Sequence, residues 1–214
     1  MWIGCRKKQH FERKSILGEA YGENEGEVDL IDLIGSNQST KKEIEERVAR
    51  CLVSQAILLS ISGLPGLTAR SYFGINRPSD WLRSESWHDQ GLALPVERLE
   101  LERLLAHYRS AMSQIYTESS NMLAARRTHS GFEPEAEEQV LDIHKGVFAI
   151  VRTPSNSGSV VCVHEISGEH KTINLEKVTD LEKEAIDILN GVQVDPQAVH
   201  LSPYQSRWIC RVEQ

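Results

Sequence analysis

The part of the sequence that most constrains the fold is the segment of residues 47–74. Its first half has apolar residues at helical spacing, and around residues 57–59 they cover nearly the whole helix circumference. The pattern then breaks at Gly63-Leu-Pro-Gly66, and a short apolar run follows. A buried helix, a tight break and a short buried strand are typical of one step of an α/β barrel.

Helix signals also flank this segment. Thr40 and Glu43 have the spacing of a capping box, which predicts a helix over residues 41–61. A second helical pattern covers residues 96–129, with a break expected near residues 117–120. The breakers Pro78 and Gly91 predict a loop between the two patterns.

The composition changes after the second helical pattern. Short β-branched runs alternate there with connections rich in Gly, Pro, Asn and Ser. The runs cover residues 139–143, 147–152, 159–166, 171–175, 184–191, 198–201 and 206–212. This pattern predicts a chain of antiparallel hairpins, whose roughly seven strands would form a small β-sandwich.

Composition excludes some classes of function. The net charge of −7 offers no basic footprint for nucleic acid, and no apolar run is long enough to span a bilayer. The first residues lack the apolar core of a secretory signal. The four cysteines lie far apart without CxxC spacing, which predicts free thiols in a cytoplasmic protein: Cys5, Cys51, Cys162 and Cys210.

The motif Ser62-Gly-Leu-Pro-Gly66 is followed by Ser71-Tyr-Phe-Gly74. This pair resembles the last helix–strand unit of the catalytic barrel in amylase-superfamily enzymes of the sucrose phosphorylase and glucosylglycerate phosphorylase type, and two later motifs resemble the same enzymes. Residues 146–152 resemble their Val-Phe-Ala-X-X-Arg strand. Leu201-Ser-Pro-Tyr-Gln205, followed by Trp208, resembles their closing pattern.

This resemblance covers roughly residues 27–211 and implies an α+β fragment. Residues 27–129 would be the last helix–strand–helix part of a (β/α)8 barrel, and residues 131–214 a small antiparallel β-sandwich domain. Residues 1–26 are expected to be poorly ordered, because they are polar and show no sustained period. In such enzymes the barrel step follows all catalytic carboxylates, so the chain resembles the C-terminal portion of a larger enzyme.

The resemblance also implies substrate-binding residues. Glu27 matches a glutamate on the rim of the sugar site, and Asp29 stands where asparagine is usual, although Gly26 replaces an aromatic residue. Arg77 and Asp80 are polar candidates in the following Asn-Arg-Pro-Ser-Asp loop, where ordinary loop roles are the alternative. These four residues form the predicted sugar-binding set.

Other parts of the expected chemistry are missing from the sequence. A retaining enzyme needs two carboxyl groups about 5 Å apart, but no segment matches the surroundings of the family's catalytic residues, and His88-Asp89 is interpreted as a coincidence. Leu92 and Val96 stand where the family has arginines, which would supply paired donors for phosphate. We therefore predict no catalytic residue in this chain.

No cofactor or metal site is predicted either. A glycine-rich phosphate loop is missing, and His164 and His170 lack companion ligands at metal-binding spacing, so a structural histidine is the favoured interpretation.

Two functional hypotheses follow. The first is a C-terminal fragment of a sucrose-phosphorylase-like enzyme. The whole enzyme would transfer a glucosyl unit from a sucrose-like α-glucoside to phosphate, and the fragment alone is expected to be inactive. The second is a non-catalytic β-sandwich interaction module, or the complementing half of a split enzyme. Sugar and phosphate are the expected partners of the parent enzyme, with a separate N-terminal half as a further partner.

Overall fold

The computed structural model describes residues 40–75, 98–155, 158–176, 181 and 185–211. Within them, helices come first and an antiparallel sheet follows. The helices are α1 (Lys41–Ser60), α2 (Ala69–Phe73), α3 (Arg98–Ala106) and α4 (Ala111–Thr128), and a 3-10 turn follows at Ser130–Phe132. The strands are β1 (Glu137–Leu141), β2 (Val147–Thr153), β3 (Val160–Glu165), β4 (Lys171–Ile173), β5 (Ala185–Asp187), β6 (Val192–Val194), β7 (Val199–Leu201) and β8 (Ser206–Arg211).

Helix α1 confirms the first helix prediction. The Oγ1 atom of Thr40 accepts the Glu43 N–H at 3.3 Å, and the Glu43 carboxylate accepts the Thr40 N–H at 2.9 Å. The capping box therefore satisfies two backbone donors at the start of the helix. The helix ends at Ser60, one residue before the predicted end.

The short strand predicted after Gly66 is wrong, because α2 occupies that position. The side chain of Thr68 accepts the Ser71 N–H at 3.1 Å and so begins a helix. Gly74, with a φ of 66°, ends this helix in the left-handed conformation. The apolar run is too short for its periodicity to distinguish a helix from a strand.

The predicted break near residues 117–120 is also misplaced, because the chain breaks between α3 and α4 instead. Ser110 caps α4 by accepting the Ser113 N–H at 3.0 Å. Further along, the hydroxyls of Ser119 and Ser120 donate to carbonyl oxygens one turn earlier, at 2.5 and 2.6 Å. These serines therefore bond within the helix rather than ending it.

The sheet is antiparallel, as expected, but its strand order is not sequential. One sheet has the order β1-β2-β3-β8-β5-β6, and β4 pairs with β7 in a second sheet. The hairpins β1–β2 and β2–β3 agree with the prediction. Beyond β3 the predicted chain of hairpins is interrupted, because β4 pairs with β7 and β8 lies between β3 and β5. Strand β6 was not predicted, although it forms a hairpin with β5. Local composition indicates which segments are strands but does not determine which strand pairs with which.

Strand β3 has core on both of its faces, and all of its residues are buried. On one face, Val161 and Val163 share a hydrophobic cluster with residues of β4 and β7. On the other face, Val160 and Cys162 share a cluster with Trp208 and with residues of α1 and α4. The helices and the small second sheet thus pack against opposite faces of the large sheet.

We expect Gly74→Ala to lower the free energy of unfolding by about 2–4 kcal/mol, because two penalties combine. Gly74 has positive φ, and an added Cβ would overlap with the Cδ1 atom of Ile115, which is fully buried. Gly66→Ala is the matched control, because an added Cβ there meets nothing within 4 Å. Chemical denaturation measures both variants; equal midpoints would contradict the close approach of α2 to α4.

Candidate functional site

The four predicted sugar-binding residues, Glu27, Asp29, Arg77 and Asp80, lie outside the described residues. So do residues 1–26 and the loop that contains Leu92 and Val96. The described structure does contain residues 61–75, which connect α1 to the loop of Arg77. We call residues 61–75 the turn segment.

Arg126 of α4 anchors the start of the turn segment. Its guanidinium donates hydrogen bonds to the carbonyl oxygens of Leu59, of Ile61 at 3.3 Å and of Gly63 at 2.8 Å. These carbonyls lie at the C-terminal end of α1, where a positive charge is favourable. The guanidinium also lies 5.4 Å from the ring centroid of Phe132. Burial, and next the charge of Arg152, lower the pKa of Arg126.

Glu138 of strand β1 holds the same region from the sheet. Its Oε2 atom accepts the Ser62 N–H at 2.5 Å and a hydrogen bond from Arg152 Nη1 at 3.1 Å. Arg152 is fully buried and also donates to the Glu133 carbonyl at 2.8 Å. The turn segment is therefore fixed to both the helical layer and the sheet.

Gln55 orients helix α2. Its Nε2 atom donates to the Ser71 carbonyl at 2.6 Å, and its Oε1 atom lies within hydrogen-bond distance of the Ser119 hydroxyl on α4, whose one proton is shared with the Ile115 carbonyl. Because Gln55 is buried on α1, its amide connects three helices. A glutamine within an apolar helical stripe was a signal that the sequence analysis did not use.

An aromatic cluster lies at the end of the turn segment. Phe73 stacks on Tyr116 with ring centroids 5.4 Å apart, and Tyr72 meets Tyr116 edge-on at 5.3 Å. The Tyr72 hydroxyl lies 2.8 Å from the Ser120 hydroxyl. These contacts hold α2 on α4, so the Ser-Tyr-Phe-Gly motif has a packing role in this fold.

The Leu201–Gln205 motif connects the sheet to α1. Tyr204 has a φ of 58°, and its N–H donates to Glu165 at 2.8 Å. The guanidinium of Arg50 on α1 lies 5.2 Å from the Tyr204 ring centroid. Gly168 leaves room for this ring, because an added Cβ would lie 2.6 Å from the Tyr204 hydroxyl.

The fully buried carboxylates of Glu165 and Asp187 accept hydrogen bonds from backbone N–H groups of the turns that follow them. Burial raises the pKa of Glu165, but hydrogen bonds from Ser167, Tyr204 and Gly168 outweigh it, and the pKa is lowered overall. For Asp187 burial dominates and raises the pKa, although Leu189 N–H, Trp208 N–H and Arg207 all donate to this carboxylate. Both carboxylates are thus engaged by protein donors, unlike a pair placed around a glycosidic bond.

The described residues lack a metal-binding cluster and a membrane-spanning helix. No group of three or more His, Cys, Asp or Glu residues there could hold a metal ion. In the same residues, no helix is both long and apolar enough to cross a membrane.

Comparison with known sequences identifies relatives of one kind, although no protein-family model matches the chain. The glucosylglycerate phosphorylase of Escherichia coli is 24% identical over 85% of this chain. That of Allomeiothermus silvanus is 29% identical over 84%, and that of Spirochaeta thermophila is 30% identical over 56%. The matched parts are 31%, 30% and 21% of these relatives, so the chain spans less than a third of their length. The sequence is therefore similar to part of a glycoside phosphorylase, as the motifs predicted.

Comparison with solved structures gives the corresponding fold. An Anoxybacillus α-amylase matches 78% of this chain with a TM-score of 0.55 and 14% identity, over 33% of its own length. The trehalulose synthase of Pseudomonas mesoacidophila matches 76% with a TM-score of 0.54 and 14% identity, over 38% of its length. The arrangement of helices and antiparallel sheet is thus shared with part of amylase-type enzymes.

Proposed function

We propose that this chain forms the C-terminal part of an amylase-superfamily glycoside phosphorylase. The observation that carries the proposal is its similarity to two glucosylglycerate phosphorylases over 84–85% of its length. Helices α1 and α2 with the turn segment would belong to the last step of a (β/α)8 barrel. The two sheets would form the β-sandwich domain that follows this barrel.

In the parent enzyme, a glucosyl unit would pass from an α-glucoside to phosphate with retention of configuration. Such a reaction uses a carboxylate nucleophile and a carboxylic acid, which here would come from the preceding part of the barrel. The names of the relatives favour glucosylglycerate as the donor, and a sucrose-like glucoside is the alternative.

This chain would contribute to the rim of the sugar site. Glu27 and Asp29 are proposed sugar-binding residues by their resemblance to the family, and Arg77 and Asp80 are proposed as the polar residues of the following loop. Arg77 follows Ile75, the last residue of the turn segment, by two positions. The contacts of Arg126 and Glu138 with the turn segment would therefore support the start of the sugar-binding loop. Because Glu138 lies on strand β1, the sheet would have a positioning role.

A cytoplasmic location is part of the proposal. Cys162 is a buried free thiol, as is common in a reducing compartment.

The first test is activity. We expect the purified chain to produce no glucose 1-phosphate from glucosylglycerate or sucrose in the presence of phosphate, because the catalytic carboxylates would lie in the preceding part of the barrel. The full-length Escherichia coli relative is the positive control. Turnover by the chain alone, lost on replacing one of its own carboxylates, would falsify the fragment proposal.

A complementing half is the second candidate function, in which the chain would supply the portion that it matches in these relatives. The chain would then combine with a separate polypeptide that carries the rest of the barrel. Mixing it with the unmatched portion of the Escherichia coli relative tests this arrangement. Phosphate-dependent consumption of glucosylglycerate by the mixture supports complementation, whereas binding without turnover supports a non-catalytic interaction module.

A further inference from the structure

His164 connects the helical layer to the large sheet. Its ring is fully buried, and both ring nitrogens have partners. Nε2 lies 3.1 Å from the hydroxyl of Ser60, the last residue of α1, and Nδ1 lies 2.8 Å from the hydroxyl of Ser206 on β8. One side chain of β3 thus contacts the end of a helix and a neighbouring strand.

The hydrogen bonds determine the tautomer of this ring. Ser60 donates its only hydroxyl proton to the Ile57 carbonyl at 2.8 Å, so it can only accept from His164. Nε2 therefore carries the proton, and Nδ1 accepts a hydrogen bond from the Ser206 hydroxyl. This arrangement satisfies every polar atom of a neutral ring.

A second proton on the ring would have no negatively charged partner. Among the described residues, the ring faces Ser60 from α1, Ser206 from β8 and the Phe148 ring of β2, which stacks at 6.0 Å. None of these side chains carries a charge or titrates in the acidic range. Protonation at Nδ1 would force the Ser206 hydroxyl to turn from donor to acceptor and would leave a buried positive charge without a counter-charge.

We propose that His164 is an acid-sensitive latch that holds the C-terminal end of α1 on strands β3 and β8 only while its ring is neutral. Protonation would favour a state in which this contact is open. The proposal concerns the coupling of the helical layer to the sheet, and it does not depend on the proposed function.

Proton linkage gives the direction and size of the effect. Burial lowers the pKa of His164 to about 3 in the closed state, whereas an exposed histidine titrates near 6.5. Between these pH values only the open state binds the proton, so stability of the closed contact falls as the pH falls. Relative to pH 7.5, the population of the open state should rise about 90-fold at pH 4.5.

Hydrogen exchange tests the latch in the full chain at pH 7.5 and 4.5, after correction for intrinsic exchange rates. His164→Gln is the matched variant, because its amide can still donate to Ser60 but does not titrate. We expect opening of the last turn of α1 and of β3 to increase about 90-fold in the wild type and to change little in the variant. Parallel changes in both proteins would overturn the proposal.

Nitrogen-15 NMR of the wild type gives a second measurement, which does not require the variant to fold. The expected result is a neutral ring protonated at Nε2, with no titration in the closed protein above pH 4. A ring that titrates near pH 6.5 while the contact stays closed would overturn the proposal.

Discussion

Replacing Trp208 by alanine is expected to lower the free energy of unfolding by about 3–5 kcal/mol. Trp208 is fully buried and lies in one cluster with residues of α1, α4 and the sheet. Its ring centroid is 4.6 Å from that of Phe132, which precedes the first strand. A cavity at this position would therefore loosen the helices and the sheet together. Since small domains are stable by only about 5–15 kcal/mol, the loss would be a large fraction of the total.

Two further variants test whether the loss of stability comes from the buried packing of the Trp208 ring. Trp208→Phe removes an indole N–H that, among the described residues, has no hydrogen-bond partner, so no hydrogen bond is lost. We expect a smaller destabilisation than for alanine, because most of the aromatic contact with Phe132 remains. Tyr108→Ala is the aromatic control, since Tyr108 is 72% exposed. Denaturation curves in which Trp208→Ala and Tyr108→Ala behave alike would contradict the shared core.

The sequence predicted the elements whose signals are local. Helix α1 has its capping residues within one turn, and the strands around Val161 and Ile209 are evident from β-branched runs. The pairing of β3 with β8 was not predictable in this way, because it joins residues such as Cys162 and Trp208 that are remote in the sequence. Helix α2 was missed because a five-residue element has almost no periodicity.

The contacts that hold the turn segment were not predicted either, because they also join residues that are remote in the sequence. Arg126 contacts Leu59 across 67 positions of sequence, and Glu138 contacts Ser62 across 76. The sequence around a single arginine or glutamate does not indicate which carbonyl or N–H group the side chain will bind in the folded protein. The predicted residues Glu27 and Asp29 depended on family resemblance instead, and they remain predictions.

The contact between β1 and the turn segment leads to the second large effect. We expect Glu138→Ala to lower the free energy of unfolding by about 2–4 kcal/mol, because it removes the charged partner of a buried arginine. The Arg152 side chain is 0% exposed, and that of Glu138 is 26% exposed, which moderates the loss. The same substitution leaves the Ser62 N–H without its carboxylate acceptor.

Glu137→Ala is the matched control, because Glu137 is the exposed neighbour on the same strand. Its expected effect is below about 0.5 kcal/mol. The double variant Glu138→Ala with Arg152→Met should be more stable than the sum of the two single changes predicts, since methionine removes the unpaired buried charge. Urea denaturation of the wild type, the two single variants and the double variant measures this coupling, and Glu137→Ala is measured beside them. Additive changes, or equal effects at Glu137 and Glu138, would show that the ion pair does not hold the turn segment on the sheet.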